Sequence, residues 1–503
     1  MDIQKIYKEW KYSILALTLI LAIGFLLRIY NLNTQPIFAD EAIYIRWAQV
    51  MRAEPTLRFL PLSDGKPPLF MWVMIPFLKI ISDPLIAGRL VSVLCGLVTI
   101  LGVFVATYIL SKSKLLSVIS SFIYAIVPFS LFFDRMALAD SMLSMFGIWV
   151  FAIGILVVQT LRLDLAMILG FILGGALLTK PPALYFSLML PLLAIFAKNK
   201  IGFIKYIFLL FATYLIAYSM YNILRLGPNF SQLATRNADY VYPLSHIFTS
   251  PMDPFRPFLD RIKEFYWIMG GSVLFISWVF SYFNNFKNRY IHLIILSIWL
   301  FGPILVSSEF SKTMTARYVF FSLPYFVIIA SYLYVNKTDG LSRIGYVLLP
   351  LFVIQSLFYN YNLLNNQSTA KLPRSERSGY LEEWTAGQGI KEISNFLKEI
   401  PKSQSVLVGT EGFFGTLPDG LQIYFDGKTN VNVIGVGLQL EEIPNQLIES
   451  KKAGNRSFLV VNDERLNFKP SDKNMRLVGE YNKALRPDGT RQSLLFYEII
   501  DVK

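Results

Sequence analysis

Stretches of about 20 almost uninterrupted apolar residues recur along this chain, and nothing else in the sequence narrows its fold so much. A bilayer core about 30 Å thick takes a helix of roughly 17–25 such residues. Inside hydrocarbon only a helix or a closed barrel pairs every backbone group. The windows fall at about 12–30, 85–110, 115–133, 141–161, 164–179, 182–197, 202–224, 264–283, 290–308, 316–335 and 342–361, which predicts about eleven transmembrane helices. The windows at 164–179 and 182–197 are short and separated only by "TKPP", so a tight or partly re-entrant pair is expected there. A hydrophobic fraction of 54% with 16% charged residues fits a chain whose solvent is largely lipid.

Lys5, Lys8 and Lys11 precede the first run, as the charged region of a signal peptide would. The length of the run, the lack of a small-residue cleavage site and the later spans predict a retained helix instead. The single cysteine, Cys95, lies within an apolar run. It gives no intrachain disulfide framework and no cysteine zinc site, and is expected to be a packing residue.

The net charge is +13, but residues 365–503 hold 18 basic and 18 acidic residues, so the whole excess sits in the membrane half. No basic stripe or RNA-reading motif accompanies it, which argues against nucleic acid as a partner. With the N-terminus inside, the inner segments hold Lys5, Lys8, Lys11, Lys112, Lys114, Arg162, Lys198, Lys200, Lys205, Lys287, Arg289, Lys337 and Arg343. Against these stand only Asp2, Glu9, Asp164 and Asp339. Short cytoplasmic loops carry such a lysine and arginine excess, so the expected topology is N-terminus cytoplasmic and C-terminus outside, in a cell membrane.

Two long outer segments follow from that orientation. In the first, about 31–84, "DEAIYIRWAQVMRA" has the pattern of an interfacial amphipathic helix. "LFMWVMIPFLKI" is too short to span and reads as a second membrane-surface helix interrupted by Pro76. The second outer segment, about 225–263, is aromatic and proline-rich. After "NYNLLNNQSTA" the character changes: "SVLVGT", "LQIYF", "VNVIGV", "SFLVVN" and "SLLFYEII" read as strands, "IKEISNFLKEI" and "EEIPNQLIES" as helices. The expected organisation is a membrane domain over 1–364 and a soluble extracytoplasmic α/β domain over 365–503.

Five outer-facing stretches set charges against the ends of apolar helices, where an unpartnered charge is expensive. They are "ADEA" with Asp40 and Glu41, "GKPPLF" with Lys66, "FFDRMALADSML" with Asp134, Arg135 and Asp140, "LTKPPALYF" with Lys180, and "TARYVFFSLP" with Arg317. Lysine and arginine can neutralise a phosphate leaving group, and an ionised carboxylate can take a proton from an attacking hydroxyl. Together they could form a mixed-charge pocket for a lipid-linked phosphate.

The order of these motifs resembles the GT-C glycosyltransferases: an Asp-Glu pair in the first outer loop, "KPPL" soon after, "R-x-A-L-x-D" between the third and fourth helices, and "ARY-x-x-x-x-x-P" in a late helix. The chain is most similar to the branch holding protein O-mannosyltransferases and lipid A aminoarabinose transferases, over roughly residues 12–335. The resemblance implies transfer of a sugar from a polyprenyl-phosphate donor to a hydroxyl of a protein, lipid or envelope glycan, with inversion at the anomeric carbon. It implies that Asp40 is the catalytic acid of the first loop and Asp140 the second essential acid, with Glu41 beside them. Lys66 and Arg317 match positions expected to meet donor phosphate, with Arg135 and Lys180 as further candidates. "GYLEEWTAGQG" resembles, more weakly, segments after the last helix in bacterial and archaeal members.

Each residue also has a structural alternative. The Asp-Glu doublet and Asp140 could cap helices, Asp134 and Arg135 could pair with each other, Lys66 could be an ordinary loop cation, and Lys180 and Arg317 could reach up to headgroups. Tyr318 reads as packing, and Trp384 as an interface anchor or core residue. "TAGQG" could present amides to a phosphate, but a plain helix cap fits it as well. His246 and His292 fall on opposite sides, which leaves no histidine metal site; Asp40, Glu41 and Asp140 could hold a divalent ion through oxygen. A lipid monophosphate lacks the diphosphate that commonly demands one. The rival readings are an oligosaccharyltransferase or polymer ligase using lipid diphosphate, a lipid-linked sugar flippase or transporter, and a non-catalytic envelope assembly protein. The chain lacks a "WWDYG"-type element, and no repeated halves with mid-membrane charges are visible.

Overall fold

The computed structural model describes residues 3–335, 340–427, 430–470 and 474–500, without the side chains of 3–7, 284–289 and 340–342. Of the charges counted for orientation, Asp2, Lys337 and Asp339 lie outside the described residues, as do the side chains of Lys5, Lys287 and Arg289. In chain order the helices are α1 (Ile3–Ile29), α2 (Ala39–Ala53), α3 (Leu69–Ile80), α4 (Pro84–Ser111), α5 (Lys114–Ile126), α6 (Pro128–Phe133), α7 (Ala139–Thr160), α8 (Leu163–Thr179), α9 (Leu184–Met189) and α10 (Lys200–Tyr221). They continue with α11 (Gln232–Tyr240), α12 (His246–Thr249), α13 (Phe255–Ile268), α14 (Ser272–Phe310), α15 (Leu323–Ser331), α16 (Gly340–Asn365), α17 (Arg374–Arg377), α18 (Ile390–Glu399), α19 (Pro418–Gln422) and α20 (Asn445–Lys452).

The chain divides into two compact units. The first comprises Met1–Tyr30, Thr56–Val73 and Arg89–Leu364; the second comprises Asn31–Pro55, Met74–Gly88 and Asn365–Lys503. Part of the segment over about 31–84 is therefore built into the same unit as the C-terminal region.

The first unit is helical. Among the described residues six helices are long and apolar enough to cross a membrane, or seven if the bent pair Phe255–Ile268 and Ser272–Phe283 is one span. Other apolar windows form shorter helices, such as Lys114–Ile126 and Leu163–Thr179, of 10–17 residues. The window at 264–283 is split between α13 and α14, and its second part is joined to the window at 290–308, because α14 runs unbroken for 39 residues; "NNFKNR" between them is polar but holds neither glycine nor proline to stop a helix. The prolines of "TKPP" open a 3-10 turn, Pro181–Ala183, which is followed by the short α9 and a second 3-10 segment, Leu190–Phe196. α7, α8 and α10 pack closely. Gly170 and Gly174 make this approach possible, because a Cβ on either would lie 2.8 Å from Ile216 or 2.5 Å from Met220 on α10.

The second unit holds the strands β1 (Ile37–Phe38), β2 (Ala386–Gly387), β3 (Val406–Glu411), β4 (Val431–Gly437), β5 (Arg456–Asn462), β6 (Met475–Asn482) and β7 (Ser493–Ile499). β3 to β7 form one sheet in the order β4-β3-β5-β7-β6, with β4, β3 and β5 parallel and β7 and β6 antiparallel. The run "LQIYF" is not a strand. Pro418 occupies the first turn of α19, where its fixed φ suits a helix start, and Asp419 accepts from the Gly415 N–H of the preceding turn at 2.6 Å. α20 starts after Pro444 rather than at Glu441. β6, which the sequence did not announce, is a largely exposed edge strand.

Two helices of the segment over about 31–84 also differ from expectation. α2 is buried along most of its circumference, with Ala42, Ile45 and Ala48 fully enclosed, rather than along one stripe. Pro76 does not interrupt α3: it costs the bond to one carbonyl, and the helix continues through it to Ile80, with Phe70, Met74 and Leu78 buried at i, i+4 and i+8.

Candidate active site

In the second unit the acidic doublet opens α2. Phe38 is the N-cap residue and the backbone is extended there. That strand, β1, pairs antiparallel with β2, so Ile37 faces Gly387 and Phe38 faces Ala386. The Ala39 N–H donates to the Thr385 carbonyl at 3.1 Å, and the rings of Phe38 and Tyr380 lie 4.5 Å apart. "ADEA" and "GYLEEWTAGQG", 340 residues apart in sequence, are thus neighbours. The two carboxylates separate in role. Glu41 is fully buried and its Oε2 accepts the Phe38 N–H at 3.0 Å, as a glutamate at the third helical position does. Asp40 is half-buried in the same first turn, where the helix dipole favours an anion.

In the first unit a second group forms where α7 begins and α8 ends. Asp140 lies in the first turn of α7, and Lys180 is the residue that closes α8. α7 and α8 are antiparallel neighbours, so the anion meets the positive end of one dipole and the cation the negative end of the other. Lys180 Nζ donates to Asp140 Oδ1 at 2.5 Å, with side-chain exposures of 18% and 4%. The same Nζ lies 5.3 Å from the Tyr318 ring centroid, and the Arg317 guanidinium lies 5.5 Å from that ring. Tyr185, just beyond Lys180, shares a 3.1 Å hydrogen bond with Ser307 and stacks on Phe321 at 6.3 Å. Asp140, Lys180 and Arg317 are therefore brought together around Tyr318. That tyrosine was read from sequence as packing; its place beside Arg317 in "ARY" was the available signal.

Lys66 stands in the turn after Leu60–Asp64, where Gly65 adopts φ +66°. It pairs with Asp64 at 3.1 Å, and Asp64 also accepts Arg236 at 2.7 Å. Buried Phe59, Leu62, Leu178, Leu224 and Leu233 pack this turn against the end of α8, two residues before Lys180.

Asp134 and Arg135 each find partners elsewhere. Asp134 Oδ2 accepts from fully buried Arg28 at 2.9 Å, in a spot that Gly96 keeps open, since a Cβ there would lie 2.4 Å from that oxygen. Arg135 turns to the end of α1 and donates from Nη1 to the carbonyls of Leu27, Arg28 and Tyr30 at 3.0, 2.9 and 2.6 Å. Those are carbonyls that a helix end leaves unpaired, so this arginine closes α1. Trp384 is 42% exposed, with the Arg465 guanidinium 4.6 Å from its ring. Among the described residues no three His, Cys, Asp or Glu side chains are grouped so as to hold a metal ion.

Residues 65–221 match the family described as dolichyl-phosphate-mannose-protein mannosyltransferase, a stretch that contains Lys66, Arg135, Asp140 and Lys180. No curated protein matches the sequence. Among solved structures the chain is similar to ArnT from Cupriavidus metallidurans in the apo state, with 13% identity, 97% of this chain and 98% of that chain covered, and a TM-score of 0.57. It is similar to the same protein bound to undecaprenyl phosphate, with 14% identity, the same coverage and a TM-score of 0.58. The archaeal oligosaccharyltransferase AglB from Archaeoglobus fulgidus, in complex with an inhibitory peptide and a dolichol-phosphate, aligns at 12% identity over 97% of this chain and 74% of that chain, TM-score 0.50. At such identities the likeness is one of fold.

Both comparisons point to the class of GT-C glycosyltransferases, to which the chain is similar in fold along most of its length and in sequence over residues 65–221. Within that class the matched stretch is similar to the dolichyl-phosphate-mannose-protein mannosyltransferases.

Proposed function

We propose that the chain is an inverting glycosyltransferase that moves a sugar from a polyprenyl-phosphate donor to an acceptor hydroxyl on the outer face of the cell membrane. Asp40 takes the proton of the acceptor hydroxyl. The oxygen attacks the anomeric carbon, and the bond from that carbon to the phosphate oxygen breaks on the opposite side. Polyprenyl phosphate leaves carrying the electron pair, and Lys180, Arg317 and Lys66 balance its charge. Asp140 holds Lys180 in place, and Glu41 fixes the first turn of α2 so that Asp40 is presented from a rigid helix. Arg135 acts at one remove, by closing α1, rather than on the phosphate.

The observation that carries this reading is the Asp140–Lys180 pair at 2.5 Å beside Tyr318 and Arg317, inside and next to the stretch matched by the mannosyltransferase family. A buried ion pair is a poor source of stability, so one assembled at two helix ends with a second cation alongside is better explained by work on an anion. The undecaprenyl phosphate of the Cupriavidus protein and the dolichol-phosphate of the archaeal one supply the lipid class.

Membranes containing the chain, given a panel of polyprenyl-phosphate sugars with radiolabelled sugar, will move label from the lipid to an acceptor. Asp40→Asn will fold and insert but lose transfer by about 10²-fold or more. Normal turnover by Asp40→Asn removes that residue from the mechanism. Movement of intact labelled lipid across the bilayer would instead identify a flippase, and no movement of either kind an assembly protein.

A further inference from the structure

A cleft of about 380 Å³ lies wholly within the second unit, between the C-terminal end of α2, the turn before α4, α18 and the segment after α19. α18 supplies one wall. Its apolar face, Ile390, Ile393 and Leu397, is buried, while Lys391, Asn395 and Lys398 line the cleft. These three are spaced i, i+4 and i+7, which sets them on one stripe of the helix over two turns. Arg52 stands opposite on α2, held by Asp426 at 2.6 Å and donating to the Leu78 carbonyl at 2.8 Å. Lys391 reaches Asp83 at 3.3 Å, and Lys398 lies 4.7 Å from the Tyr424 ring centroid. Three cations thus share the cleft with two carboxylates.

The floor of the cleft fixes where it operates. Asp83 accepts the N–H groups of Leu85 and Ile86 at 3.0 and 3.2 Å, so it caps the start of α4. α4 begins at Pro84 and is one of the helices long and apolar enough to cross a bilayer. A cleft that includes the first residue of a membrane-crossing helix lies at the depth of lipid headgroups. Basic side chains at that level are attracted to phosphate esters, and a pocket of this volume is in the range of small-molecule sites.

We propose that this cleft binds the phosphate of a membrane lipid headgroup, with Lys391 and Lys398 as its ligands and Arg52 as a fixed cation behind them. This goes beyond the transferase reading and does not depend on it: none of these residues has a part in sugar transfer, and binding is read without turnover. Two sources share the chemistry, a bilayer phospholipid and the polyprenyl phosphate carrier.

The test is native mass spectrometry of the full chain in detergent, counting bound phosphatidylglycerol, polyprenyl phosphate and, as a phosphate-free control, diacylglycerol with matched acyl chains. Lys391→Gln with Lys398→Gln removes both ligands from an exposed helix face. Lys398→Glu alone leaves the Asp83 pair intact and guards against a folding defect. Both variants are expected to retain phosphatidylglycerol at least about tenfold more weakly, with diacylglycerol unchanged. Loss of one equivalent of polyprenyl phosphate, with phosphatidylglycerol unaffected, would support the site and name the carrier as its occupant. Equal retention of both phosphate lipids by the wild type and the variants overturns the proposal, as does an equal loss of diacylglycerol.

Discussion

Asp140 and Lys180 are joined by one short bond but are not equally enclosed, and this makes the two halves of the pair unequal under mutation. Asp140 is 4% exposed and Lys180 18%. Removing the lysine strands a buried carboxylate, whereas removing the acid leaves an ammonium with a path to water. Lys180→Met is expected to cost about 3 kcal/mol of stability, and Asp140→Asn distinctly less; thermal unfolding of the two purified variants compares them directly. Both should also raise KM for the lipid donor, while a purely structural pair would leave KM alone. A different residue reports through pH. Burial pushes the Lys483 ammonium down to about 8 from an ordinary 10.5, with Glu411, Asp463 and Glu464 pulling it back up and Arg465 pushing it down. Between those values the folded chain has released a proton that the unfolded chain still holds, so stability rises with pH from about 8 to 10.5 and is flat below. Hydrogen exchange in β7, compared between wild type and Lys483→Met at each pH, should show that extra slope in the wild type only. Legibility at this scale depended on where partners sit. Asp40, Glu41 and Asp140 were visible as acids at starts of helices, but Arg135 was not assignable. Its partner carbonyls lie 105 to 108 residues away, and carbonyls leave no trace in a sequence.

The element that joins the acidic doublet to the C-terminal region is only two residues long on each side. β1 and β2 pair over Ile37–Gly387 and Phe38–Ala386, and a Cβ on Gly387 would sit 2.5 Å from Ile37 Cγ2 and 2.8 Å from the Ile37 carbonyl oxygen. No larger residue fits without moving one backbone from the other. Gly387→Val should therefore cost about 1–3 kcal/mol and tilt the first turn of α2, lowering kcat more than donor binding; transfer kinetics beside lipid-binding measurements would separate the two. The weak resemblance of "GYLEEWTAGQG" to segments after the last helix in related enzymes acquires a physical meaning in this pairing. Other elements were readable in proportion to their burial. β3, β5 and β7 are central strands with near-continuous apolar runs, and each announced itself. β6 is an edge strand whose exposed Arg476 and Glu480 break up its apolar pattern, and "LQIYF" is not a strand because Pro418 opens a helix that runs into it, against the β-propensity of the run.

At the scale of the whole molecule, the switch from basic excess to neutrality at residue 365 marked one boundary. The structure has four more, because Asn31–Pro55 and Met74–Gly88 belong to the second unit although first-unit segments flank them. An apolar count along the chain cannot show this. α2 is as hydrophobic as an interfacial helix should be, and only its partners reveal that it is enclosed. Those partners lie in the C-terminal region: Gln49 donates to the Ile423 carbonyl at 2.9 Å, Arg46 and Arg52 both pair with Asp426, and β1 needs β2. A chain ending at residue 364 thus loses every one of these contacts while keeping α2 itself. Ile37 and Phe38 would present an unpaired strand edge, and Arg46 and Arg52 would lose the carboxylate that holds them. Trypsin should then cut the truncated, membrane-inserted chain after Arg46 or Arg52 and spare both bonds in the full chain. Equal protection in the two would mean that α2 is held by the membrane surface, as its sequence alone suggests, and that the C-terminal region is not what presents Asp40.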